Sequence, residues 1–315
     1  MSDIKLSVIM PAYNAEKYIS EAITSVLEQS FAAFELIIIN DGSTDKTEQI
    51  IRSFNDERIV LINQENQGLA TALNKGLAQA KAEYVVRFDA DDICYKNRLE
   101  RQYQFLSHNP DYLIVGSAVD YVDEHLNFIF TYHPPASNED IQLIKQNMCP
   151  FIHSSVLFRK EAVIKYGYSI HAHTFEDHLL WLNVLNEGKA YNLQEPLIKV
   201  RLNPHSITID ERWRPRKFHA IKSRALKQKT ITAEQGEQLK YIITKQNKKA
   251  IKEGAYFSLL AKKYLWNNYQ PVKARQSLKK MAATNIFNWR VYFFFLLTFF
   301  PEKILQRSYK LFKTR

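Results

Sequence analysis

Glycine is scarce in this chain, with 8 in 315 residues, and two glycine-rich phosphate cradles are missing with it. No G-x-G-x-x-G follows the first apolar run, where the sequence reads Pro11-Ala12-Tyr13-Asn14. A dinucleotide-binding turn is therefore excluded by motif. No G-x-x-x-x-G-K-[ST] occurs either, which excludes a P-loop on the same ground. Cysteine is rarer still, with only Cys94 and Cys149. Two thiols make no disulfide scaffold and suit a reducing compartment. Residues 1–29 lack a charged region followed by a long apolar core, so no signal peptide is expected. The apolar stretch 291–300, interrupted only by Thr298, falls far short of the ~20 residues a bilayer span needs.

What is present is enough apolar material for one large core or two domains, 46% of the chain. The net charge of +10 conceals a split. Residues 1–211 carry 18 Lys and Arg against 29 Asp and Glu, while residues 212–315 carry 25 against 4. This predicts a boundary near residues 213–216, with a domain over 1–211 and a helical, strongly basic region over 212–315. The two parts are expected to have different partners.

The first ninety residues alternate in period. "KLSVIM", "FELIII", "RIVLIN" and "EYVVRF" are short apolar runs and read as buried strands. Between them "AEKYISEAITSVLEQS", "STDKTEQIIRSF" and "LATALNKGLAQA" place apolar residues at helical spacing. Strict alternation implies βαβ units and a mostly parallel sheet. Further on, "LIVGSAVDYVDEHLNFIFTYH" reads as a hairpin pair and "SSVLFRKEAVIKYGY" as a strand then a helix. "FEDHLLWLNVLNEG" reads as an amphipathic helix with Leu179, Leu182 and Leu185 on one side.

Ligands of such sheets bind beyond the carboxyl ends of the strands. Those ends here carry Pro11 to Asn14, Asn40-Asp41-Gly42-Ser43, residues 63–68, and Asp89-Ala90-Asp91-Asp92. Three carboxylates at the end of an apolar strand, in a chain without a glycine cradle, suit a phosphate bridged by a cation. Mg²⁺ or Mn²⁺ prefers such hard oxygen ligands.

"SVIMPAYNAEKYISEAITSVLEQSF", "IIINDGSTDKT", "NQGLATALNKGLAQAKAEYVVRFDADD" and "FEDHLLWLNVL", in this order and spacing, resemble family 2 glycosyltransferases of the GT-A fold. The resemblance spans residues 6–208. It implies an α/β, Rossmann-like sheet and an inverting transfer of sugar from a nucleotide sugar, expected to be a UDP-sugar. Asp91 would ligate Mn²⁺ or Mg²⁺, and Asp89, with Ala90 beside it, would contact ribose or metal; the role of Asp92 stays open. Asp41 would accept a hydrogen bond from the base, with Pro11, Ala12 and Tyr13 against it. Arg87, costly to bury unpaired, would pair with a site carboxylate or the nucleotide. Asp177 would be the catalytic base, with Glu176 orienting the acceptor. Arg201 would meet the diphosphate. Relatives often show Tyr-Arg-x-His there, and this chain has Val200-Arg201-Leu202-Asn203. Whether His153, Asn203 or His205 contacts the diphosphate stays open.

Each residue also has a plainer reading: a solvated acidic turn for Asp89 to Asp92, an Asp-Gly turn for Asp41, helix N-terminal acids for Glu176 and Asp177. The basic end, with Lys279, Lys280 and Arg290 before the apolar stretch and Lys303, Arg307, Lys310, Lys313 and Arg315 after it, reads as an interfacial anchor on anionic lipid. A helix packed on the first domain with a solvated basic face is the alternative. Nucleic acid is not expected as a partner. The expected setting is the inner face of the cytoplasmic membrane. The expected acceptor is a glycan, lipid-linked, in bacterial surface polysaccharide or lipopolysaccharide synthesis. The rival readings are a sugar nucleotidyltransferase, which would want a glycine-rich loop after the first strand, and a non-catalytic membrane-surface protein.

Overall fold

The computed structural model describes residues 4–204, 209, 211–246, 248–284 and 289–305. They form two units. The first comprises residues up to 120, 131–201 and 220–239, and the second comprises 121–130, 202–219 and 240 onward.

The chain forms a sheet of nine strands: β1 (Leu6–Ala12), β2 (Phe34–Asp41), β3 (Ile59–Gln64), β4 (Tyr84–Arg87), β5 (Ile93–Cys94), β6 (Tyr112–Val122), β7 (Phe128–Tyr132), β8 (Leu157–Arg159) and β9 (Lys189–Arg201). Their order is β3-β2-β1-β4-β8-β6-β9-β5, with β7 on β6. β1, β2, β3 and β4 pair in parallel. Every residue of β1, β2 and β4 is buried, as expected of strands covered on both faces. β8 then joins β4 antiparallel, and β6 joins β8 antiparallel. The hairpin β6–β7 and the strand–helix unit 157–164 appear where the sequence places them.

The helices of this part are α1 (Ile19–Leu27), α2 (Thr47–Arg52), α3 (Leu69–Gln79), α4 (Arg98–His108), α5 (Asn138–Ile144), α6 (Lys160–Ile164) and α7 (Glu176–Val184). Gly76 lets α3 lie close on β1: a Cβ there would stand 2.5 Å from Cγ2 of Ile9. The central core gathers Ile9, Ile37, Leu73, Val85, Phe158 and Trp181. α7 departs from the sequence expectation. It is not amphipathic, because Leu180, Trp181 and Val184 are buried along with Leu179 and Leu182. Trp181 sits edge-on to Phe151 and Tyr168 and tilted against Phe158. The helix lies inside the unit, so its polar start is carried into the interior with it.

α8 (Arg216–Gln228) and α9 (Ala233–Gln246) follow, then α10 (Lys249–Trp266), α11 (Pro271–Thr284) and α12 (Trp289–Leu297). The last three pack around Ala261, Leu278, Met281 and Val291, with Phe257, Phe294 and Phe295 against them. Among the described residues no helix is long and apolar enough to cross a membrane.

Candidate active site

The parallel strands deliver their carboxyl ends to one edge, and the loops there are laced to each other. After β1, the Asn14 amide donates to Ser43 Oγ (3.0 Å), and Asn14 Oδ1 accepts from the Thr44 amide (2.8 Å). The Ala15 amide donates to Thr47 Oγ1 (2.8 Å). Asp41 ends β2 and is buried. Its Oδ1 accepts from Gln64 Nε2 (2.7 Å) and the Gln67 amide (2.8 Å), and its Oδ2 accepts from the Gly68 amide (2.9 Å). Asp41 thus holds the loop after β3 and the start of α3. A carboxylate offers about four acceptor positions, so one is left for a ligand. Gly42 follows at φ +71°, and a Cβ there would meet the Asn66 amide nitrogen at 2.6 Å. Pro11 and Ala12 are buried in β1, whereas Tyr13 beside them is 53% exposed.

β4 ends in Arg87, whose buried guanidinium pairs with Asp89. Burial opposes its charge, and the Asp89 carboxylate, helped by Tyr168 and Asp92, more than offsets that, so its pKa is raised. Asp89, Asp91 and Asp92 bring carboxylate oxygens within 4.8 Å of one another. Burial first, then the charge of Asp89, pushes Asp91 up to about 6. Asp92 is raised well above its ordinary range, by burial first and then by both neighbouring acids. Its Oδ1 accepts from the Arg201 amide (2.9 Å), while its buried Oδ2 has no hydrogen-bond donor. Hard oxygens, mutual repulsion and an undonated oxygen together fit a divalent cation.

Arg201, at the end of β9, comes to the same turn. Its Nε donates to the Asp91 carbonyl (2.9 Å), its Nη2 reaches Glu21 Oε2 (2.7 Å), and its guanidinium lies 4.4 Å from the Tyr18 ring centroid. The structure therefore brings Arg201 to the acidic turn over a sequence separation of about 110 residues.

Glu176 and Asp177 open α7. Glu176 is buried, and burial, then the charge of Asp177, pushes its carboxyl up to about 7. Arg87 acts electrostatically on Glu176 as well as on Asp89, so one buried cation is felt by both the acidic turn and the start of α7. Asp177 is less enclosed; its Oδ1 accepts from the His178 amide at 2.7 Å. His153 Nε2 lies 3.1 Å from Tyr168 Oη, and burial, reinforced by Arg87, holds its pKa well below the usual range. Both effects favour the neutral imidazole. Asn203 is buried in the second unit. His205, Arg307, Lys310, Lys313 and Arg315 lie outside the described residues.

Several participants escape a motif reading. Arg98 is fully buried and donates to the Arg87 carbonyl (3.0 Å) and the Ser154 carbonyl (2.7 Å), fixing the backbone behind the acidic turn. The one available signal is that Arg98 and Gln102 occupy apolar-face positions of α4 beside Leu99 and Leu106. Glu21, Tyr18 and Tyr168 carry no such signal.

The family described as Glycosyl transferase family 2 matches residues 7–167. The amylovoran biosynthesis glycosyltransferase AmsE of Erwinia amylovora is 33% identical over 213 residues, covering 66% of this chain and 80% of its own. Among solved structures, Staphylococcus aureus TarS (residues 1–349) in complex with UDP superposes with a TM-score of 0.55 at 18% identity, over 98% of this chain and 91% of that one. The mannosyltransferase PcManGT of Pyrobaculum calidifontis, in complex with GDP-Man and Mn²⁺, gives 0.55 at 16% identity over 99% and 88%. The fold is GT-A, and the chain belongs to glycosyl transferase family 2 and is a glycosyltransferase.

Proposed function

We propose that this enzyme transfers a sugar, with inversion, from a UDP-sugar to a glycan acceptor in bacterial surface polysaccharide synthesis. The observation that carries the reading is that the buried cation Arg87 acts on two acid groups, the turn Asp89 to Asp92 through its pair with Asp89 and the start of α7 through Glu176. Asp41, Ala12 and Tyr13 bind the base end of the donor. Asp91, with Asp89, would hold Mn²⁺ or Mg²⁺, which when bound offsets charge on the departing diphosphate. Arg201, held at the acidic turn by its bond to the Asp91 carbonyl, would meet the same diphosphate. Asp177 takes the proton from the acceptor hydroxyl as that oxygen attacks the anomeric carbon opposite the leaving group. Glu176, whose carboxyl is pushed up to about 7, can in its protonated form donate a hydrogen bond to the acceptor without repelling the base. TarS with UDP and the mannosyltransferase with GDP-Man and Mn²⁺ support the donor class, and the name of AmsE supports the pathway class.

The test is metal-dependent hydrolysis of a panel of nucleotide sugars by wild type and Asp91→Ala, with product stereochemistry read by NMR. Turnover lowered at least 100-fold in the variant, with an inverted anomer from the wild type, is expected. No turnover and no UDP binding with any donor would sink the reading.

The acceptor is lipid-linked, and the enzyme works at an anionic membrane surface. A specific feature supports this. Trp289, Tyr292, Phe293 and Leu296 occupy one face of α12 and are 67%, 52%, 49% and 63% exposed. Val291, Phe294 and Phe295 turn inward to the second unit's core. An apolar stripe on a helix too short to span, in a region with 25 basic and 4 acidic residues, has the form of an interfacial helix.

A further inference from the structure

Cys149 stands beside the acid assigned above as the base. Its Sγ lies 3.6 Å from Asp177 Oδ2 and 3.4 Å from the carbonyl oxygen of Phe151. Both separations suit a thiol donor, since sulfur is larger than oxygen or nitrogen. Asp177 Oδ1 is taken by the His178 amide, so the thiol addresses the oxygen left for chemistry. The segment that carries Cys149 is pinned on both sides. His178 Nε2 lies 2.6 Å from the Lys145 carbonyl oxygen, and Asn192 Nδ2 donates to the Pro150 carbonyl (3.1 Å). One of these pins comes from α7 itself, one residue past Asp177, so thiol and carboxylate are positioned by the same helix.

We propose that Cys149 is a positioning residue for the base, a thiol with two alternative acceptors. In the resting site it donates to Asp177 Oδ2 and aims that oxygen. In the transfer step the acceptor O–H proton passes to Oδ2, the new C–O bond forms at the anomeric carbon, and the electron pair of the breaking bond leaves with the diphosphate. The S–H then turns to the Phe151 carbonyl. The thiol keeps its own proton throughout, so nothing is oxidised. Burial and the Asp177 charge both push the thiol well above its ordinary pKa, which keeps it a donor across the working range. Other groups act around the pair. Glu176 and Tyr168 are held toward their neutral forms by burial, Lys222 acts on the thiol, Tyr132 feels it, and Arg87 acts on Glu176 and Tyr168.

This inference rests on Asp177 being the base, and the experiment separates the two. The pH dependence of kcat/KM is measured for Cys149→Ala, Cys149→Val and Cys149→Ser. Loss of a donor to a carboxylate raises its pKa. The acid limb of Ala and Val is therefore expected to move up by about 0.5–1 pH unit, a roughly 3- to 10-fold loss below the limb. Ser, which still donates, is expected to stay near or below the wild-type limb. A uniform loss at every pH, with the limb fixed, would mean packing alone and overturn the proposal. A second readout needs no turnover: the Cys149 S–H stretch, isolated by infrared difference against Cys149→Ala, in wild type and Asp177→Asn. A stretch unchanged between those two backgrounds would also overturn it. Undiminished turnover by Asp177→Asn would instead remove the base assignment, whatever the infrared result.

Discussion

Glu176 is a carboxyl that the fold pushes toward its protonated form. Its folded-state pKa of about 7 lies above the ordinary 4.5, first because it is buried and then because Asp177 is adjacent. The native state therefore binds this proton more tightly than the unfolded chain between those two values. Stability contributed by the neutral form is present below pH 4.5 and is lost as pH rises toward 7. Asp91 and Asp92 act with the same sign in the absence of a cation. Thermal unfolding in chelator is expected to show Tm falling from pH 5 to 7.5. Glu176→Gln, which cannot ionise, is expected to recover about 1–3 kcal/mol at pH 7.5 and nothing at pH 4.5. An equal offset at both pH values would show that the variant acts by packing and that Glu176 is not the titrating group.

At the scale of elements, the turn 41–43 and the start of α3 form one construction. Asp41 accepts the Gln67 and Gly68 amides, and Gly42 lies against the Asn66 backbone. Gly42→Ala would meet both a left-handed φ and a backbone atom at 2.6 Å, costing about 1–3 kcal/mol. The loop 64–68 would be displaced from Asp41, so donor KM should rise several-fold while the product anomer stays the same. A KM equal to wild type, measured beside a lowered Tm, would separate that loop from donor binding. These elements were legible in the sequence because β1, β2 and β4 are covered on both faces and must read as continuous apolar runs. The turn residues were legible because a strand that ends in Asp-Gly or Asp-Ala-Asp breaks its pattern abruptly. α7 was harder. Its charged start, Glu176–Asp177–His178, imitates an amphipathic surface helix, and only packing reveals that Trp181 and Leu180 face core too. Arg98, Tyr168 and Cys149 act through neighbours 11, 15 and 28 residues away, contacts that no local pattern encodes.

At the scale of the whole molecule, charge and exposed apolar surface are both unevenly spread along the chain. The chain is acidic over residues 1–211 and basic over 212–315. The exposed stripe Trp289, Tyr292, Phe293 and Leu296 falls in the basic part, and these two properties predict separable contributions to lipid binding. The electrostatic part depends on anionic headgroups and is screened, since the Debye length falls from ~10 Å at 0.1 M salt to ~3 Å at 1 M. The apolar part depends on side-chain insertion and persists in salt. Flotation with phosphatidylcholine vesicles, with and without phosphatidylglycerol, is therefore expected to show strong binding only to the anionic set at 0.1 M salt. At 1 M salt that binding should fall by about tenfold or more. Trp289→Ser with Phe293→Ser and Leu296→Ser leaves Val291, Phe294 and Phe295 in place as core contacts, so the second unit should keep its helical content. That triple variant is expected to lose most binding to anionic vesicles even at 0.1 M salt, because charge alone recruits weakly and reversibly. Binding by the triple variant equal to wild type would place the membrane contact elsewhere on the chain. Equal binding to neutral and anionic vesicles would remove the basic residues from it.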